Sequence, residues 1–279
     1  MKGIAYGVGV GPGDPEYMTL KACRLIRENE IIAVPGKVPQ ESVAYRIAAA
    51  AVPELAEKTL VPVWMPMVRD REKIREQHRE AARLLETYLE KGQNVVFLTL
   101  GDPTVYCTFS YIQHHLEADG YPIELVSGVT SFCAAAARLG IPLAEWDEPL
   151  SIHPAVHDLK ADLEQPGTHV LMKSASRMRE VKELLRRSGR AVSMVENCSM
   201  EGEKRYHGVD EIPDDAGYFS LYFVLDNILV LVDHLYYYKN YNILVIYMFH
   251  WYFFLVFLWV HFLGVDFLRI EFLFLVRIS

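Results

Sequence analysis

The chain has 279 residues and a formal net charge of −8. This length suits one large domain or two of ordinary size, and the acidic balance argues against a nucleic-acid partner, which normally needs a basic face. The four cysteines contain no CxxC pair, which argues against a zinc site or a thioredoxin-like motif.

The amino-terminal residues predict a cytoplasmic protein. The stretch from Met1 to Gly9 is too short, and too often interrupted by glycine, to be the apolar region of a secretory signal peptide. We therefore expect reduced thiols, as is usual in the cytoplasm.

Strand and helix patterns alternate over residues 1–118, which we predict to be an amino-terminal α/β domain. Glycine and proline clusters end the strands, and Gly92 follows the clearest helix. In chain order the predicted elements are strand Ile4–Gly9, a helix from Thr19 to Glu28, strand Ile31–Val34, an alanine-rich helix after Ser42, a helix from Asp70 to Lys91, strand Val95–Leu100 and a helix from Thr108 to Leu116.

Residues 119–122, with the sequence Asp-Gly-Tyr-Pro, predict a linker to a second α/β domain at 123–224. Its predicted elements are strand Ile123–Val126, helix Val129–Leu139, strand His169–Met172, helix Arg177–Arg187, strand Val192–Val195 and a β-rich end from Arg205 to Val224. Strands that alternate with helices predict two α/β domains whose ligands lie at the carboxyl ends of the strands.

The first candidate site segment is Gly9 to Pro15, GVGPGDP, which follows a strand and precedes a helix. It does not fit the dinucleotide fingerprint GxGxxG, because the third glycine falls one position early. Two prolines also stand where a phosphate-binding turn needs backbone N–H donors. A plain tight turn is the alternative interpretation.

Two further segments stand beside predicted strand ends. Leu100 to Tyr106, LGDPTVY, closes the strongest strand, and a glycine there lets a ligand approach the backbone. A structural turn explains Gly-Asp-Pro about as well. Ser127 to Phe132, SGVTSF, begins a helix, and a hydroxyl that simply caps this helix is the alternative to a ligand contact.

Together and in this order, the glycine-rich first turn, GDPxxY and GVTSF resemble the tetrapyrrole methylase family. Segments Leu171–Ala175, Val195–Glu201 and Gly217–Leu221 resemble its branch that methylates C-20 of precorrin-2 or cobalt-factor II. The resemblance covers residues 1–224. One departure is Ser127, since related sequences usually carry proline before this glycine.

The resemblance implies a homodimer of two-domain subunits that bind S-adenosylmethionine in a cleft between the domains. The implied cofactor contacts are Leu100, Gly101, Asp102, Val105, Tyr106, Thr130, Ser131 and Met172. The implied tetrapyrrole contacts are Gly11, Pro12, Gly13 and Asp14.

Methyl transfer from a sulfonium requires chiefly that donor and acceptor be held in line, and no nucleophile triad or carboxylate pair is visible. A base that removes the acceptor proton is not identified; Asp102, Tyr106 and Glu196 are candidates.

The substrate's carboxylates need basic partners. Lys37, Arg69, Arg71, Lys173 and Arg177 stand at predicted strand ends or in loops. We rank Arg177 first, because it follows a strand end and could open the next helix. The alternative for most of these cations is a solvated surface charge.

His153 and His157 have a spacing that suits a metal on a helix, but Pro154 lies between them, so we predict a solvated loop and no protein-bound metal. Any cobalt would arrive inside the substrate.

Residues 225–279 form a tail of different composition. The tail contains no Ala, Pro, Thr, Gln or Cys, and 16 of its 55 residues are aromatic. Tyr241 to Val265 lacks charged Asp, Glu, Lys and Arg over 25 residues, enough to cross a bilayer. We favour a non-homologous extension, produced by a frameshift or readthrough, over an evolved membrane anchor.

Two alternative functions stay open. One is methylation of another tetrapyrrole, such as a later corrin precursor or uroporphyrinogen. The other is a non-catalytic, membrane-tethered protein that binds a tetrapyrrole, in which the tail is functional.

Overall fold

The computed structural model describes residues 1–66, 70–154, 159–174 and 177–226. It contains two five-stranded sheets with helices packed against them. The predicted α/β class is therefore confirmed.

The first sheet is wholly parallel, with the strand order β3-β2-β4-β1-β5. Its strands are β1 (Ala5–Gly9), β2 (Ile31–Pro35), β3 (Thr59–Val63), β4 (Val95–Thr99) and β5 (Ile123–Val126). Every residue of β1 and β4 is buried, as expected for central strands covered on both faces.

Helices cover both faces of this sheet. The helices are α1 (Leu20–Glu28), α2 (Val43–Ala51), α3 (Arg71–Leu89) and α4 (Phe109–Ala118). Apolar side chains of α1 and α2 pack on one face, and those of α3 and α4 pack on the other. The helices begin where the sequence predicts: Thr19 accepts a hydrogen bond from the N–H of Ala22, and Asp70 accepts two at the start of α3.

The second sheet is mixed, with the order β6-β7-β10-β8-β9. Its strands are β6 (Leu150–Pro154), β7 (Thr168–Met172), β8 (Ala191–Glu196), β9 (Lys204–His207) and β10 (Ser220–Leu225). Helix α5 (Ser131–Leu139) packs on one face, while α6 (Lys160–Leu163) and α7 (Met178–Ser188) pack on the other.

The chain passes between the two sheets at residues 127–130. β5 pairs with β1 in the first sheet, whereas α5 packs on the second. The linker predicted at 119–122 therefore lies before the last strand of the first sheet, and does not separate the sheets. The division of the chain into two domains stays a prediction. The pairing of the strands favours a boundary at residues 127–130.

The sequence did not predict β3 and β6. Both are edge strands, and both contain a proline, Pro62 and Pro154. Proline has no N–H to donate to a strand ladder and is tolerated at sheet edges. The proline that interrupts each strand pattern in the sequence is therefore compatible with the edge position of that strand. His153 accordingly lies in a strand, where we predicted a solvated loop.

Several predictions concern residues outside those described. These are the roles of Arg69 and His157 and the apolar stretch from Tyr241 to Val265. Within the described ranges, no helix is long and apolar enough to cross a membrane.

Phe109 anchors the start of α4, directly after the loop that follows β4. Its side chain is fully buried, and its ring centroid lies 5.0 Å from that of Phe97 in β4. We expect Phe109→Ala to lower the free energy of unfolding by about 3–5 kcal/mol, because it leaves a cavity in the core. Denaturant unfolding measures this loss.

Leu20→Ala is the control for the same experiment, since Leu20 begins α1 and is 89% exposed. It should change stability by less than about 0.5 kcal/mol. Equal losses in the two variants would contradict the packing described for Phe109.

Candidate active site

A cleft of about 330 Å³ lies where the ends of both sheets meet. The first sheet contributes residues that follow the carboxyl ends of β1, β2, β4 and β5. The second sheet contributes residues after β7 and β8 and at the start of β10. All eight residues expected to contact the cofactor line this cleft: Leu100, Gly101, Asp102, Val105, Tyr106, Thr130, Ser131 and Met172.

A short backbone bridge joins the first two loops of the site. The N–H of Gly101 donates to the oxygen of Gly11 at 2.8 Å, and the N–H of Gly11 donates back at 3.2 Å. Gly101 has a φ of +68°, which favours glycine. Its Cβ position faces open space, with the oxygen of Val129 4.0 Å away as the nearest atom. The bare backbone of Gly101 thus lies in the cleft lining.

Asp102 ties this loop to the segment between the sheets. Its Oδ1 accepts a 2.7 Å bond from the N–H of Thr104 and a second bond from the hydroxyl of Thr104. Its Oδ2 accepts a 3.0 Å bond from the N–H of Gly128. Both carboxylate oxygens are therefore engaged in holding the backbone.

Thr130 carries an unused hydroxyl in the cleft. It stands at the N-cap position of α5, but its side chain makes no capping bond, contrary to the simplest interpretation of this segment. Its Oγ1 is buried and has no hydrogen-bond partner among the described residues. Buried polar groups are nearly always paired, so this atom fits a ligand that supplies the partner.

Backbone strain is concentrated around the cleft. Tyr106 and Lys173 line it with φ of +47° and +58°. Asn197 and Ser199 have φ of +53° and +60° on either side of Cys198, which also lines it. Such strain in non-glycine residues is typical of functional sites.

Tyr106 connects the two sheets across the cleft. Its hydroxyl donates to the oxygen of Ile152 in β6 at 3.1 Å. The ammonium of Lys173 lies 5.4 Å from the Tyr106 ring centroid and donates to the Tyr106 carbonyl at 3.4 Å.

Of the four residues of this turn expected to face the tetrapyrrole, Pro12 lines the cleft, whereas Gly11, Gly13 and Asp14 are not part of its lining. A Cβ on Gly13 would lie 2.5 Å from the oxygen of Ser199. The amino-terminal turn therefore packs directly against the loop that follows β8.

Arg138, near the end of α5, joins these two loops. Its Nη2 lies 3.4 Å from Asp14 Oδ2, and its Nε lies 3.4 Å from Ser199 Oγ and 3.6 Å from Glu203 Oε2. Burial acts to raise the pKa of Glu203, but the N–H of Ser199 and the guanidinium groups of Arg205 and Arg138 together lower that pKa. Glu203 is therefore ionised at neutral pH and holds Arg138 in place.

The cysteine on this loop is not an activated nucleophile. Burial raises the pKa of the Cys198 thiol, an effect that outweighs its hydrogen bond to Ser199. The thiol stays protonated at neutral pH, and the thiolate is the reactive form.

Arg177 lies outside the cleft lining, and its guanidinium bonds to Glu180 on the first turn of α7, at 2.8 Å from Nε. Its role in substrate binding stays a prediction. Lys173 lines the cleft, and Arg71 is exposed at the start of α3.

The three candidate bases all have hydrogen-bond partners. Asp102 and Tyr106 are bonded as described above, and Glu196 Oε1 accepts a 2.6 Å bond from the N–H of Gly217. None of the three is assigned as a base.

Sequence reasoning did not single out Arg138, and it placed Cys198, Met200 and Tyr218 to Leu221 only in segments that resemble the C-20 branch, without a role in the site. The cleft-lining members of this group follow β8 or begin β10 at the same edge. The position of a residue after a strand was the signal that could have identified them. The sequence did not, however, predict the antiparallel pairing of β10.

No group of three or more His, Cys, Asp or Glu side chains in the described part of the chain is arranged to hold a metal ion. His153 instead contacts Asp162 through Nδ1 at 3.2 Å and His169 through Nε2 at 3.2 Å.

Comparison with known proteins identifies relatives along most of this chain. The probable cobalt-precorrin-2 C(20)-methyltransferase of Methanocaldococcus jannaschii is 36% identical over 77% of this chain and 93% of its own length. The cobalt-precorrin-2 C(20)-methyltransferase of Salmonella typhimurium is 31% identical over 79% of this chain and 95% of its own length.

A solved structure has the same fold. Uroporphyrin-III C-methyl transferase from Thermus thermophilus, in complex with S-adenosylhomocysteine, superimposes with a TM-score of 0.60 and 27% identity, over 80% of this chain and 98% of the other. The sequence profile of the tetrapyrrole (corrin/porphyrin) methylases matches residues 5–211. The chain belongs to the tetrapyrrole methylase family.

Proposed function

We propose that this protein transfers a methyl group from S-adenosylmethionine to the C-20 bridging carbon of precorrin-2 or cobalt-factor II. The observation that carries the proposal is the cleft at the carboxyl ends of β1, β2, β4 and β5, where all eight expected cofactor contacts converge. The relatives named for this reaction match over nearly their whole length.

The cleft lining fits S-adenosylmethionine in three respects. Gly101 offers bare backbone at a central strand end, Thr130 offers a buried hydroxyl without a partner among the described residues, and Met172 offers an apolar contact from the second sheet. When bound, the cofactor supplies a methyl group already activated on a sulfonium sulfur.

The protein's own contribution is positioning. Asp102 holds the loops after β4 and β5 at a fixed separation, and Tyr106 bonds across to β6. Correct alignment of two reacting groups is worth up to about 7–11 kcal/mol of barrier. A rigid lining therefore accounts for catalysis without a nucleophile from the protein.

The tetrapyrrole is proposed to lie against the rim formed by Pro12 and the loop after β8. Arg138 fixes this rim from behind, because it contacts Asp14, Ser199 and Glu203. Lys173 lies in the lining and is suited to pair with a substrate carboxylate.

The resemblance also supports a cytoplasmic homodimer, which we propose as the working form. Light scattering of the purified full chain tests the dimer.

Incubation of the enzyme with S-adenosylmethionine and either precorrin-2 or cobalt-factor II tests the reaction. We expect one methyl group to replace one hydrogen at C-20, observed by mass spectrometry and by NMR with a labelled methyl donor. Methylation at another carbon, or methylation of uroporphyrinogen instead, would contradict the proposed C-20 reaction. It would indicate a different reaction of the tetrapyrrole methylase family. Binding without turnover would favour a non-catalytic protein.

Gly101→Arg tests the position of the cofactor. The side chain would project into the cleft, since only the oxygen of Val129 lies within 4.0 Å of the Cβ position. We expect loss of S-adenosylhomocysteine binding by calorimetry, with a folded protein by circular dichroism. The positive φ adds a strain of about 1–2 kcal/mol, so Gly101→Ala is the matched control for strain alone. Unchanged affinity in Gly101→Arg would contradict the assignment.

Thr130→Val separates cofactor binding from stability. Valine has the same shape but removes a buried hydroxyl that lacks a partner, so the ligand-free protein should be equally or more stable. Binding of S-adenosylhomocysteine should weaken roughly two- to tenfold, because a net hydrogen bond contributes about 0.5–1.5 kcal/mol.

Thermal unfolding and calorimetry measure the two effects of Thr130→Val. Thr87→Val on α3 is the control, because the Thr87 hydroxyl bonds to the oxygen of Leu84 away from the cleft. It should leave cofactor affinity unchanged. A destabilised Thr130→Val protein with normal affinity would show that the hydroxyl has a structural role.

A further inference from the structure

An aromatic ring and a cation form a pair at the ends of β2 and β3. Trp64 follows β3 directly and is 52% exposed. The ammonium of Lys37, two residues after β2, lies 4.6 Å from the centroid of the Trp64 ring. The N–H of Gly36 donates to the oxygen of Val63 at 3.0 Å, so the ends of the two strands are joined and the pair is held at the sheet edge.

This pair lies beside the cleft lining. Pro35, the last residue of β2, lines the cleft, as do Ser42 to Ala44 at the start of α2. Lys37 lies between these lining residues in the chain. Trp64 is one residue beyond Val63, which pairs with Pro35 across the two strands.

Packing and ion pairing do not explain the pair. About half of the Trp64 surface is in contact with solvent, and an exposed contact between a cation and an aromatic ring contributes little to stability. Lys37 forms no ion pair among the residues that the structure describes. An unneutralised ammonium at a cleft edge is notable in a chain with a net charge of −8.

We propose that Trp64 and Lys37 form a substrate subsite, which binds one pyrrole ring of the tetrapyrrole and a carboxylate attached to it. The indole face suits stacking on a conjugated ring, and the ammonium suits a carboxylate at the ring's edge. Lys173, in the lining contributed by the second sheet, would pair with another carboxylate of the same macrocycle. The inference rests on the proposed function, since it takes the ligand to be a polycarboxylate tetrapyrrole.

Tryptophan fluorescence of the full-length protein tests this subsite directly. A conjugated tetrapyrrole bound on Trp64 should quench its emission, and the chain has three other tryptophans, Trp146, Trp251 and Trp259. The probes are cobalt-factor II and uroporphyrin III, which is a stable polycarboxylate porphyrin. Trp64→Leu should lose most of the tetrapyrrole-dependent quenching and raise the Kd by roughly tenfold. Trp146→Leu is the matched control, because Trp146 is fully exposed and does not line the cleft.

Substitution of Lys37 tests the carboxylate contact. Lys37→Gln should raise the Kd by roughly five- to tenfold at low salt, Lys37→Arg should retain most of the affinity, and added salt should shrink the difference from the parent protein. Lys91→Gln is the control, since Lys91 lies 5.8 Å from the Tyr88 ring beyond the end of α3. Affinity for S-adenosylhomocysteine and the melting temperature should be unchanged in every variant.

The outcomes separate the subsite from the reaction. If Trp64→Leu and Lys37→Gln bind both probes as tightly as the parent protein, with the same quenching, the subsite is wrong whatever the reaction. If both variants lose affinity while the parent protein fails to methylate C-20, the subsite stands and the proposed reaction is wrong. A larger loss of affinity in Trp146→Leu or Lys91→Gln would also overturn the subsite.

Discussion

One buried carboxylate organises the cleft. Asp102 is only 7% exposed, and a carboxylate in such surroundings requires strong hydrogen bonds. It accepts them from the backbone and hydroxyl of Thr104 and from the backbone of Gly128. Because β4 and β5 flank β1 in the sheet, Asp102 sets the distance between the two loops that present Gly101 and Thr130. The ligand-facing groups are thus in place before a ligand arrives.

The charges around the rim explain how an acidic protein can hold an anionic substrate. The carboxylates of Asp14 and Glu203 lie near Arg138, and the lowered pKa of Glu203 keeps it ionised. These acids are therefore neutralised within the protein. Lys37 and Lys173 form no ion pair within the described ranges, so their two ammonium groups are available to an anionic substrate despite the negative net charge.

Local sequence patterns predicted the strands and turns near the cleft, whereas the eight expected cofactor contacts came from the family resemblance, and their role stays a prediction. Buried parallel strands such as β1 and β4 are continuous apolar runs, and turn residues mark their carboxyl ends, so Gly101 and its neighbours could be found from the sequence. The edge strands β3 and β6 could not be found from the sequence, because a proline interrupts the strand pattern of each. The turn at 119–122 resembles a boundary in the sequence, whereas only tertiary pairing shows that β5 belongs to the first sheet.

Long-range contacts were beyond the reach of sequence patterns. Arg138 lies 124 residues from Asp14 and 61 from Ser199 in the chain, and nothing in its helical surroundings signals these partners. Arg177, which we ranked first among the cations because it follows a strand end, forms an ion pair with Glu180 three residues away, and its role in substrate binding stays a prediction.

The chemistry of the lining explains why this fold can be catalytic without a reactive group of its own. The Cys198 thiol is protonated, the Tyr106 hydroxyl is bonded to Ile152, and both carboxylate oxygens of Asp102 accept hydrogen bonds from Thr104 or Gly128. The cleft lining does contain strained backbone. Tyr106 and Lys173 have left-handed backbone conformations, each of which costs about 1–2 kcal/mol. Such conformations persist only when surrounding contacts enforce them, and the bond from the Tyr106 hydroxyl to Ile152 in β6 is one such contact. A reaction whose donor is already activated needs a rigid and correctly spaced lining, and the folding energy of both sheets maintains that spacing.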